Sequence, residues 1–367
     1  MTSHLKLELP EKCRLLAVSD IHTAWQTLDR LLKKAEYDPE NDYLVIVGDI
    51  VEHRSDNIRT LEYVKALCDN SDKAICLLGN NDTMCARMAY TYGFERFQQQ
   101  FYRNEHNTFR EMANALGYTD CWEGNWQEIR ERVVGKYGEL LYFMRDLPIC
   151  LETQEYVFVH AGLENRPDWR NTDDTYAITV PWFFNKENPT DKWLVVGHFP
   201  AMNFKASNAS CLPAVDERKK MICIDGGIGI KHICQLNMLV ISKDGDSYRH
   251  DVLWDTFHPM KKAVRTYRTE LAPVYTDFDD QDIEILSEDD NICLVIDKAT
   301  GEKGYIPKHR VFDWDGINHV YEWLSHCVNV DKGEDVYVCD ERNGIAFIIK
   351  QDGKAGWLPA EYLEQEK

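Results

Sequence analysis

The stretch VGDIVEHRSDN (residues 47–57) joins the end of an apolar run to a polar, charged loop. The stretch LLGNND (residues 77–82) repeats this arrangement after the next apolar run. Short runs rich in Val, Ile and Leu, apolar on both faces, are typical of strands buried inside a sheet. The two stretches therefore predict buried strands that end in Asp or Asn side chains.

Five more runs of this kind occur in the first 260 residues, separated by longer segments. The segments TLDRLLKKAEY and IRTLEYVKALC space their apolar residues as helices do. Residues 82–147 are mixed, aromatic and largely helical in character. This order predicts an α/β domain. The five further runs are CRLLAVSD, EYVFVHAG, KWLVVGHF, KMICIDGG and QLNMLVIS.

Side chains that can bind metal ions follow five of these runs. In α/β sheets ligands bind beyond the carboxyl ends of the strands, so we expect these side chains to meet at one edge. A single Asp or Asn there would be an ordinary turn residue, but five strand ends in series favour a binding site. Carboxylate, imidazole and amide ligands suit manganese, iron or zinc better than copper. The candidate residues are Asp20, His22, Asp49, Asn80, Asn81, Asp82, His160 and His198.

The series SDIHTAWQTLDRLL, GDIVEHRSDN, GNND, VFVHAGL and VVGHFP resembles the calcineurin-like metallophosphoesterases. It is similar in particular to the phosphoprotein phosphatase branch, which includes serine/threonine phosphatases and diadenosine tetraphosphatases. The resemblance implies a β-sandwich core flanked by helices. It also implies a metal-dependent phosphoesterase that uses two divalent ions, most often Mn²⁺, with Fe or Zn as alternatives.

The resemblance also assigns roles to individual residues. Asp20 and His22 would hold the first metal ion, and Asp49 would bridge both ions. The ligands of the second ion would be Asn80, His160 and His198. Asp225, in an Asp-Gly turn after a later strand, would support the site from behind, or it would be a plain turn residue.

The chain departs from the family pattern where the chemistry takes place. The family's D-R-G is Glu52, His53 and Arg54 here, so a histidine replaces the arginine that grips phosphate. The family's G-N-H-[ED] has Asn81 in place of the histidine that protonates the leaving oxygen, with Asp82 after it. The catalytic candidates are therefore Glu52, His53, Arg54, Asn81 and Asp82. An amide cannot act as that acid, and Glu52 would orient Asn81 as the family's Asp orients its histidine.

Three interpretations of this altered acid site stay open. The enzyme acts on phosphate esters with better leaving groups or on phosphodiesters. Alternatively, His53 replaces the missing acid, and we then expect it not to be a surface residue. In the third interpretation the site binds metal without catalysis, and the protein is a metal-containing scaffold that recruits protein partners. The intact ligand set favours an active enzyme whose substrate is a phosphoprotein, a nucleotide or another phosphate ester.

The C-terminal third contains a weak repeat, in which GYIPKHRV and GWLPAEYL are matching segments. Short alternating strands between polar turns predict small β-barrels, and this motif resembles SH3-like domains. Such domains bind peptides through aromatic grooves, for which the first copy has Tyr275 and Phe278 and the second only Val328 and Val330. Alternatively, Tyr305 and Trp357 simply fill the barrel edges. The predicted domains are a phosphoesterase domain (1–265), two SH3-like repeats (268–314 and 327–367) and a helical linker (315–326).

Composition restricts the class of partner and the compartment. The net charge of −20 argues against nucleic acid as a bulk partner, because phosphate backbones bind basic surfaces. The sequence has no apolar run long enough to cross a membrane and no signal-like start. The 12 cysteines are scattered, which is typical of a reducing compartment. We therefore expect a cytoplasmic protein without a membrane partner.

Overall fold

The computed structural model describes residues 4–204, 209–270, 282–320 and 329–365. The chain divides into two compact units. The N-terminal unit comprises Met1–Phe199, Val215–Ile230 and Leu236–Asp255, and the C-terminal unit comprises Pro200–Ala214, Lys231–Gln235 and Thr256–Lys367. The C-terminal unit thus takes in segments that precede the predicted domain boundary near residue 265.

The N-terminal unit alternates strands and helices as the sequence predicts. All seven apolar runs form strands, and the segment from 82 to 147 is largely helical. In chain order the elements are β1 (His4–Lys6), β2 (Lys12–Val18), α1 (Trp25–Lys34), β3 (Tyr43–Val47), α2 (Asn57–Asn70), β4 (Ala74–Leu77), α3 (Asn80–Tyr90), α4 (Phe94–Arg103), α5 (Thr108–Ala115), α6 (Trp126–Arg145), β5 (Cys150–Glu152), β6 (Tyr156–Val159), α7 (Asp174–Thr179), β7 (Trp193–Val196), β8 (Ala214–Asp216), β9 (Met221–Cys223), β10 (Leu236–Asp244) and β11 (Ser247–Asp255).

The strands of this unit form a sandwich. One sheet has the order β1-β5-β6-β7-β9-β8, and the other has the order β11-β10-β2-β3-β4. Side chains of both sheets share one hydrophobic core, with Ala17 and Val45 from one sheet and Phe158 and Val195 from the other. Within the sheets β2, β3 and β4 run parallel, as do β6, β7 and β9. Their carboxyl ends therefore point the same way within each sheet.

Helix α1 shows how the sequence pattern produces this packing. Leu28, Leu31 and Leu32 are buried, whereas Lys33 and Lys34 lie in the last turn, where cations interact favourably with the helix dipole. In the described part of the chain no helix combines the length and apolarity needed to cross a bilayer. The described cysteines are free thiols, and most are buried.

The C-terminal unit is built from antiparallel strands. One sheet has the order β15-β14-β13-β17-β16, and another has the order β12-β18-β19-β20. Each has its own hydrophobic cluster, around Val295 in the first and Ile348 in the second. The strands are β12 (Met260–Lys262), β13 (Asp282–Glu288), β14 (Ile292–Asp297), β15 (Lys303–Pro307), β16 (Val311–Trp314), β17 (Ile317–Val320), β18 (Asp335–Arg342), β19 (Ile345–Lys350) and β20 (Ala355–Pro359).

The repeat noted in the sequence has a structural counterpart. In both copies three antiparallel strands, the first with a bulge, lead into a short 3₁₀ helix, which is Lys308–Arg310 in the first copy and Ala360–Tyr362 in the second. The SH3-like assignment itself stays a prediction. Tyr275, Phe278 and Val328 lie outside the described residues, and Val330 is buried.

The helix predicted over residues 315–326 is wrong at its start. Ile317–Val320 form β17, which pairs with β16 so that Ile317 lies opposite Trp314. Asp315 and Gly316, between these partners, have φ values of 52° and 78°. An Asp-Gly pair with positive φ is the preferred two-residue hairpin turn, and this turn overrides the helical spacing of the apolar residues around it. Residues 321–326 lie outside the described part.

Candidate metal centre

The ends of β2, β3, β6 and β7 bring acidic and imidazole side chains together. Asp20, His22 and Asp49 each offer a ligand atom within 4.8 Å of the others, and Asp49, His160 and His198 do the same. Asp49 belongs to both groups. A carboxylate that joins two such groups is the usual bridge of a two-metal site.

The imidazole of His22 is oriented for metal binding. Its Nδ1 lies 3.1 Å from the carbonyl oxygen of Val51, so Nδ1–H donates there and Nε2 keeps its lone pair. Nε2 is buried and has no hydrogen-bond partner among the described residues. It lies 3.8 Å from Oδ1 of Asp20 and 3.8 Å from Oδ2 of Asp49. A cation among these three atoms would satisfy all of them.

The second group has a similar arrangement. Nδ1 of His160 lies 3.0 Å from the carbonyl oxygen of Val47, which leaves Nε2 directed at the side chains of Asp49 and Asn80. One terminal atom of the Asn80 side-chain amide lies 3.0 Å from this Nε2 and 2.9 Å from Nδ1 of His198. With its nitrogen in that position the amide donates to both rings, and with its oxygen turned there it could share a cation with them. The residues present therefore fit two divalent ions.

The pKa values of these side chains also favour a bound cation. Burial lowers the pKa of His22 to about 4, so its ring is neutral at pH 7. Burial also opposes protonation of His160, but Asp49 and Asp20 outweigh it and raise the pKa of His160 to about 10. The buried carboxylates thus favour a positive charge beside them. A metal ion would supply such a charge.

The loops that carry the ligands are strained and are tied to one another. Asp20, Asp49 and His198 have φ values of 52°, 52° and 68°, a left-handed conformation that costs a non-glycine residue roughly 1–3 kcal/mol. The backbone N–H of Asp20 donates to Gly48, and that of His198 donates to the carboxylate of Asp20. At Gly197 any side chain would overlap the carboxylate of Asp20. Strain of this kind is typical of functional sites.

Comparison with known proteins identifies this arrangement. The profile of the calcineurin-like phosphoesterases matches residues 13–230. The chain belongs to this family. The match covers more than half of the chain and includes every candidate metal ligand, which confirms the resemblance based on the motifs.

Several relatives within the family are phosphohydrolases by name. The chain is 32% identical over 153 residues to a symmetrical bis(5'-nucleosyl)-tetraphosphatase of Dechloromonas aromatica, covering 42% of this chain and 44% of that protein. It is 26% identical over 155 residues to the corresponding protein of Aromatoleum aromaticum, covering 42% and 45%. The chain therefore spans less than half the length of these relatives.

Solved structures include a protein serine/threonine phosphatase from Saccharomyces cerevisiae. It matches 70% of this chain and 85% of its own, with 14% identity and a TM-score of 0.42.

Asp82, at the last position of the family's G-N-H-[ED], is buried beneath the site. Its carboxylate accepts hydrogen bonds from the backbone N–H groups of Asp49 (2.9 Å), Ile50 (2.9 Å) and Gly79 (3.0 Å). A side chain with no exposed surface cannot touch a substrate. Asp82 instead holds the loop that presents Asp49, so it is a positioning residue rather than the catalytic candidate we expected.

Asn81 and Glu52 do not form the pair that the family pattern implies. The side-chain amide of Asn81 donates to Oδ2 of Asp49 at 2.6 Å, and its backbone N–H donates to Oδ1 at 2.9 Å. The carboxylate of Glu52 is buried and accepts from Thr108. Burial raises the pKa of Glu52 to about 7, although the two hydrogen bonds from Thr108 act against this.

His53 and Arg54 lie in the loop after Asp49. The ring of His53 stands edge-on to that of His22, with 4.7 Å between ring centroids, so it borders the metal centre. His53 is nevertheless exposed, and our expectation that it is not a surface residue is wrong. Partial desolvation of its ring lowers the pKa of His53. Arg54 is half-buried, and its carbonyl oxygen accepts from Asn57.

Asp225 is fully buried and interacts electrostatically with Asp20. Its Oδ1 accepts from the backbone N–H of Gly227 at 2.7 Å, as in an Asp-Gly turn. Its Oδ2 is buried and makes no hydrogen bond within the described segments. Burial and the neighbouring carboxylate of Asp20 raise its pKa. A cation bound at Asp20 would offset the repulsion between the two carboxylates.

Proposed function

We propose that the N-terminal unit hydrolyses a phosphate ester with the help of two divalent metal ions. The observation that carries this proposal is the position of Asp49, which is shared by both ligand groups. Asp20 and His22 would complete the first site, and Asn80, His160 and His198 the second. When bound, such a pair of ions supplies Lewis-acid chemistry, because it polarises a phosphoryl oxygen and lowers the pKa of a water molecule. Oxygen and nitrogen ligands favour Mn²⁺, with Fe or Zn as alternatives.

The chain's own residues constrain the leaving group. Asn81 occupies the place of the family's acid but has no acidic proton, and loss of such an acid costs about 10²–10⁴ in rate. His53 is neutral at pH 7 because its pKa is lowered, so it is suited to donate a hydrogen bond to a phosphate oxygen rather than to protonate a leaving group. Substrates whose leaving group departs without a proton are therefore favoured.

A phosphoanhydride meets this requirement better than a phosphorylated serine. Its leaving group is a phosphate anion, which is far less basic than an alkoxide. The relatives named as symmetrical bis(5'-nucleosyl)-tetraphosphatases support this substrate class, since their name describes cleavage within a polyphosphate chain. We therefore propose a nucleotide phosphoanhydride as the substrate to examine first.

A leaving-group series tests the proposal. The Mn²⁺-loaded protein is assayed with p-nitrophenyl phosphate, phenyl phosphate, a phosphoserine peptide and a dinucleoside tetraphosphate. We expect turnover of the nitrophenyl ester and of the tetraphosphate to exceed that of phenyl phosphate and of the peptide by at least about 10²-fold, the lower limit for help from a general acid. Equal rates across the series would contradict the proposed role of Asn81.

The alternative function is a metal-containing scaffold without catalysis. It is favoured by the same departure at Asn81. The assay separates the two functions, because a scaffold would bind Mn²⁺ and inorganic phosphate but hydrolyse none of the four compounds. Bis-p-nitrophenyl phosphate, added as a fifth compound, reports whether the site prefers diesters.

A further inference from the structure

The loop of residues 52–56 carries His53 and Arg54 beside the metal centre in an unusual backbone conformation. Glu52, His53 and Asp56 have φ values of 74°, 71° and 75°, all in the left-handed region. Non-glycine residues avoid this region, so a loop with three of them needs strong anchors to keep one shape. The anchors come from helix α5 and the turn before it, which are about 50 residues away in the sequence.

The first anchor holds the beginning of the loop. Oε1 of Glu52 accepts hydrogen bonds from the backbone N–H of Thr108 at 2.8 Å and from its hydroxyl at 2.6 Å. Both side chains are buried, at 5% exposure for Glu52 and 0% for Thr108. Thr108 is the first residue of α5, so the carboxylate of Glu52 also lies at the positive end of that helix dipole.

The second anchor holds the end of the loop through Asn57, the first residue of α2. The carboxylate of Glu111 accepts from the backbone N–H of Asn57 (3.0 Å), from its side-chain amide (2.8 Å) and from the N–H of Ile58 (3.0 Å). The same amide reaches the carbonyl oxygens of Arg54 and His106 at 3.0 Å each. Asn57 is fully buried.

Asn57 also joins the two anchors. Its side-chain oxygen accepts from the backbone N–H of Glu52 at 2.7 Å and lies 2.9 Å from the hydroxyl of Thr108. The two ends of the loop are thus connected to each other and to α5 by one buried network. We propose that Thr108 and Glu111 are positioning residues that hold the 52–56 loop, so that His53 and Arg54 can contact the phosphate of the substrate.

Glu52 would thus have a role different from that of the matching Asp in the family pattern. The carboxylate no longer orients a residue at position 81 but fastens the loop to α5. Thr108 and Glu111 do not border the metal ligands in any described contact, so they would act through Glu52, Asn57 and the loop. The effect should therefore appear in phosphate binding and not in metal binding.

The inference rests on the proposed function, and its test includes a measurement that needs no turnover. In the full-length, Mn²⁺-loaded protein, kcat and KM are measured with p-nitrophenyl phosphate, the Kd of inorganic phosphate by calorimetry, and metal content by elemental analysis.

The variants are Thr108→Val, which keeps the volume but removes the hydroxyl, and Glu111→Gln, whose amide nitrogen would face the donors of Asn57. Thr108→Ser is the rescue variant. Thr153→Val is the matched control, because Thr153 is also buried and hydrogen-bonded but lies in the turn between β5 and β6.

We expect Thr108→Val and Glu111→Gln to raise KM and the Kd of phosphate by about fivefold. This factor corresponds to the net free energy of roughly one hydrogen bond. The change in kcat should be smaller, the metal content unchanged, and Thr108→Ser and Thr153→Val close to wild type. If Thr108→Val fails to fold, Glu111→Gln decides the question alone. An unchanged Kd in folded variants, or the same increase in Thr153→Val, would overturn the inference. If wild type binds phosphate but hydrolyses no ester, the proposed function fails and the Kd values still decide this one.

Discussion

The side-chain amide of Asn81 donates to Oδ2 of Asp49 at 2.6 Å, at the place where the family pattern has its acid histidine. The position therefore points into the metal centre, although its chemistry has changed. Restoring an imidazole there should restore a proton donor in place.

We predict that Asn81→His increases the turnover of phenyl phosphate, a monoester with a poor leaving group, by at least about tenfold, since general acids contribute about 10²–10⁴ when well placed. Turnover of p-nitrophenyl phosphate should change much less, because its leaving group departs unaided. The measurement is the ratio of kcat for the two esters. An unaltered ratio would show that position 81 has no access to the leaving oxygen.

We predict that His53→Ala lowers kcat/KM by about tenfold, the loss of roughly one hydrogen bond to a charged phosphate oxygen. The ring borders His22 at the exposed edge of the site, where it can reach a phosphate oxygen. His106→Ala, a half-buried histidine of the turn before α5, is the control. If the His53→Ala variant has the turnover and the pH profile of wild type, His53 is an idle surface residue.

We predict that Asp82→Asn destabilises the protein by roughly 1–3 kcal/mol, because an amide cannot accept from all three N–H groups and leaves at least one of them buried and unpaired. The loop that presents Asp49 should loosen, so the affinity for Mn²⁺ should fall as well. Urea unfolding with and without Mn²⁺ measures both effects. Stability and affinity equal to those of wild type would exclude the positioning role of this carboxylate.

We predict that Glu152 makes stability depend on acidic pH. Its carboxylate accepts from Arg170 at 2.7 and 2.5 Å and from Lys192 at 2.8 Å. The hydrogen bonds from Arg170 have the largest effect and, together with that from Lys192, lower the pKa of Glu152 to about 2. Burial acts in the opposite direction. Because the folded-state pKa of Glu152 lies below its unfolded value of about 4.3, the ionised carboxylate stabilises the folded protein above about pH 4.3. This stabilisation is lost as the pH falls towards 2.

The Glu152→Gln variant tests this pH dependence. The difference in unfolding free energy between wild type and Glu152→Gln should be roughly 2 kcal/mol at pH 7 and should shrink steadily below about pH 4. A difference that stays constant between pH 7 and pH 3 would mean that the ion pairs of Glu152 contribute nothing. Thr153→Val is a suitable control, because the buried hydroxyl of Thr153 is hydrogen-bonded to the carbonyl oxygen of Tyr156 and does not titrate.

The clustering of the candidate metal ligands was predictable from the sequence for a physical reason. Each lies one to four residues beyond a short apolar run, and short runs of this kind bounded by turn residues are typical of buried strands. The parallel arrangement of β2, β3 and β4 then brings their carboxyl ends together. Asp20, Asp49 and Asn80 could therefore be assigned to one site from the sequence alone.

The roles of Glu52 and Asp82 could not be read in the same way. Their partners, Thr108 and Asp49, are 56 and 33 residues away, and nothing in a local pattern specifies such a pairing. Thr108 and Glu111 do match the S/T-x-x-E spacing of a helix start. That signal predicts α5, but it does not reveal that both side chains bind residues of another loop.

The hairpin at Asp315 shows a different kind of error. The apolar residues of GINHVYEWLSHC have helical spacing, but the Asp-Gly turn that precedes them pairs β16 with β17. Turn chemistry decided the local structure where the spacing of apolar residues was ambiguous. The Asp-Gly pair is thus the local signal that predicts this hairpin.

Two divalent ions are proposed to share Asp49. Elemental analysis of the protein after loading with Mn²⁺ and removal of free metal tests it most directly, with Asp49→Asn as the paired variant. We predict about two ions per chain in wild type, as expected for a two-metal site, and less than half of that in Asp49→Asn, because the lost charge served both ions. A wild-type protein that retains no Mn²⁺, Fe or Zn, or an Asp49→Asn variant that still retains two ions, would contradict the account.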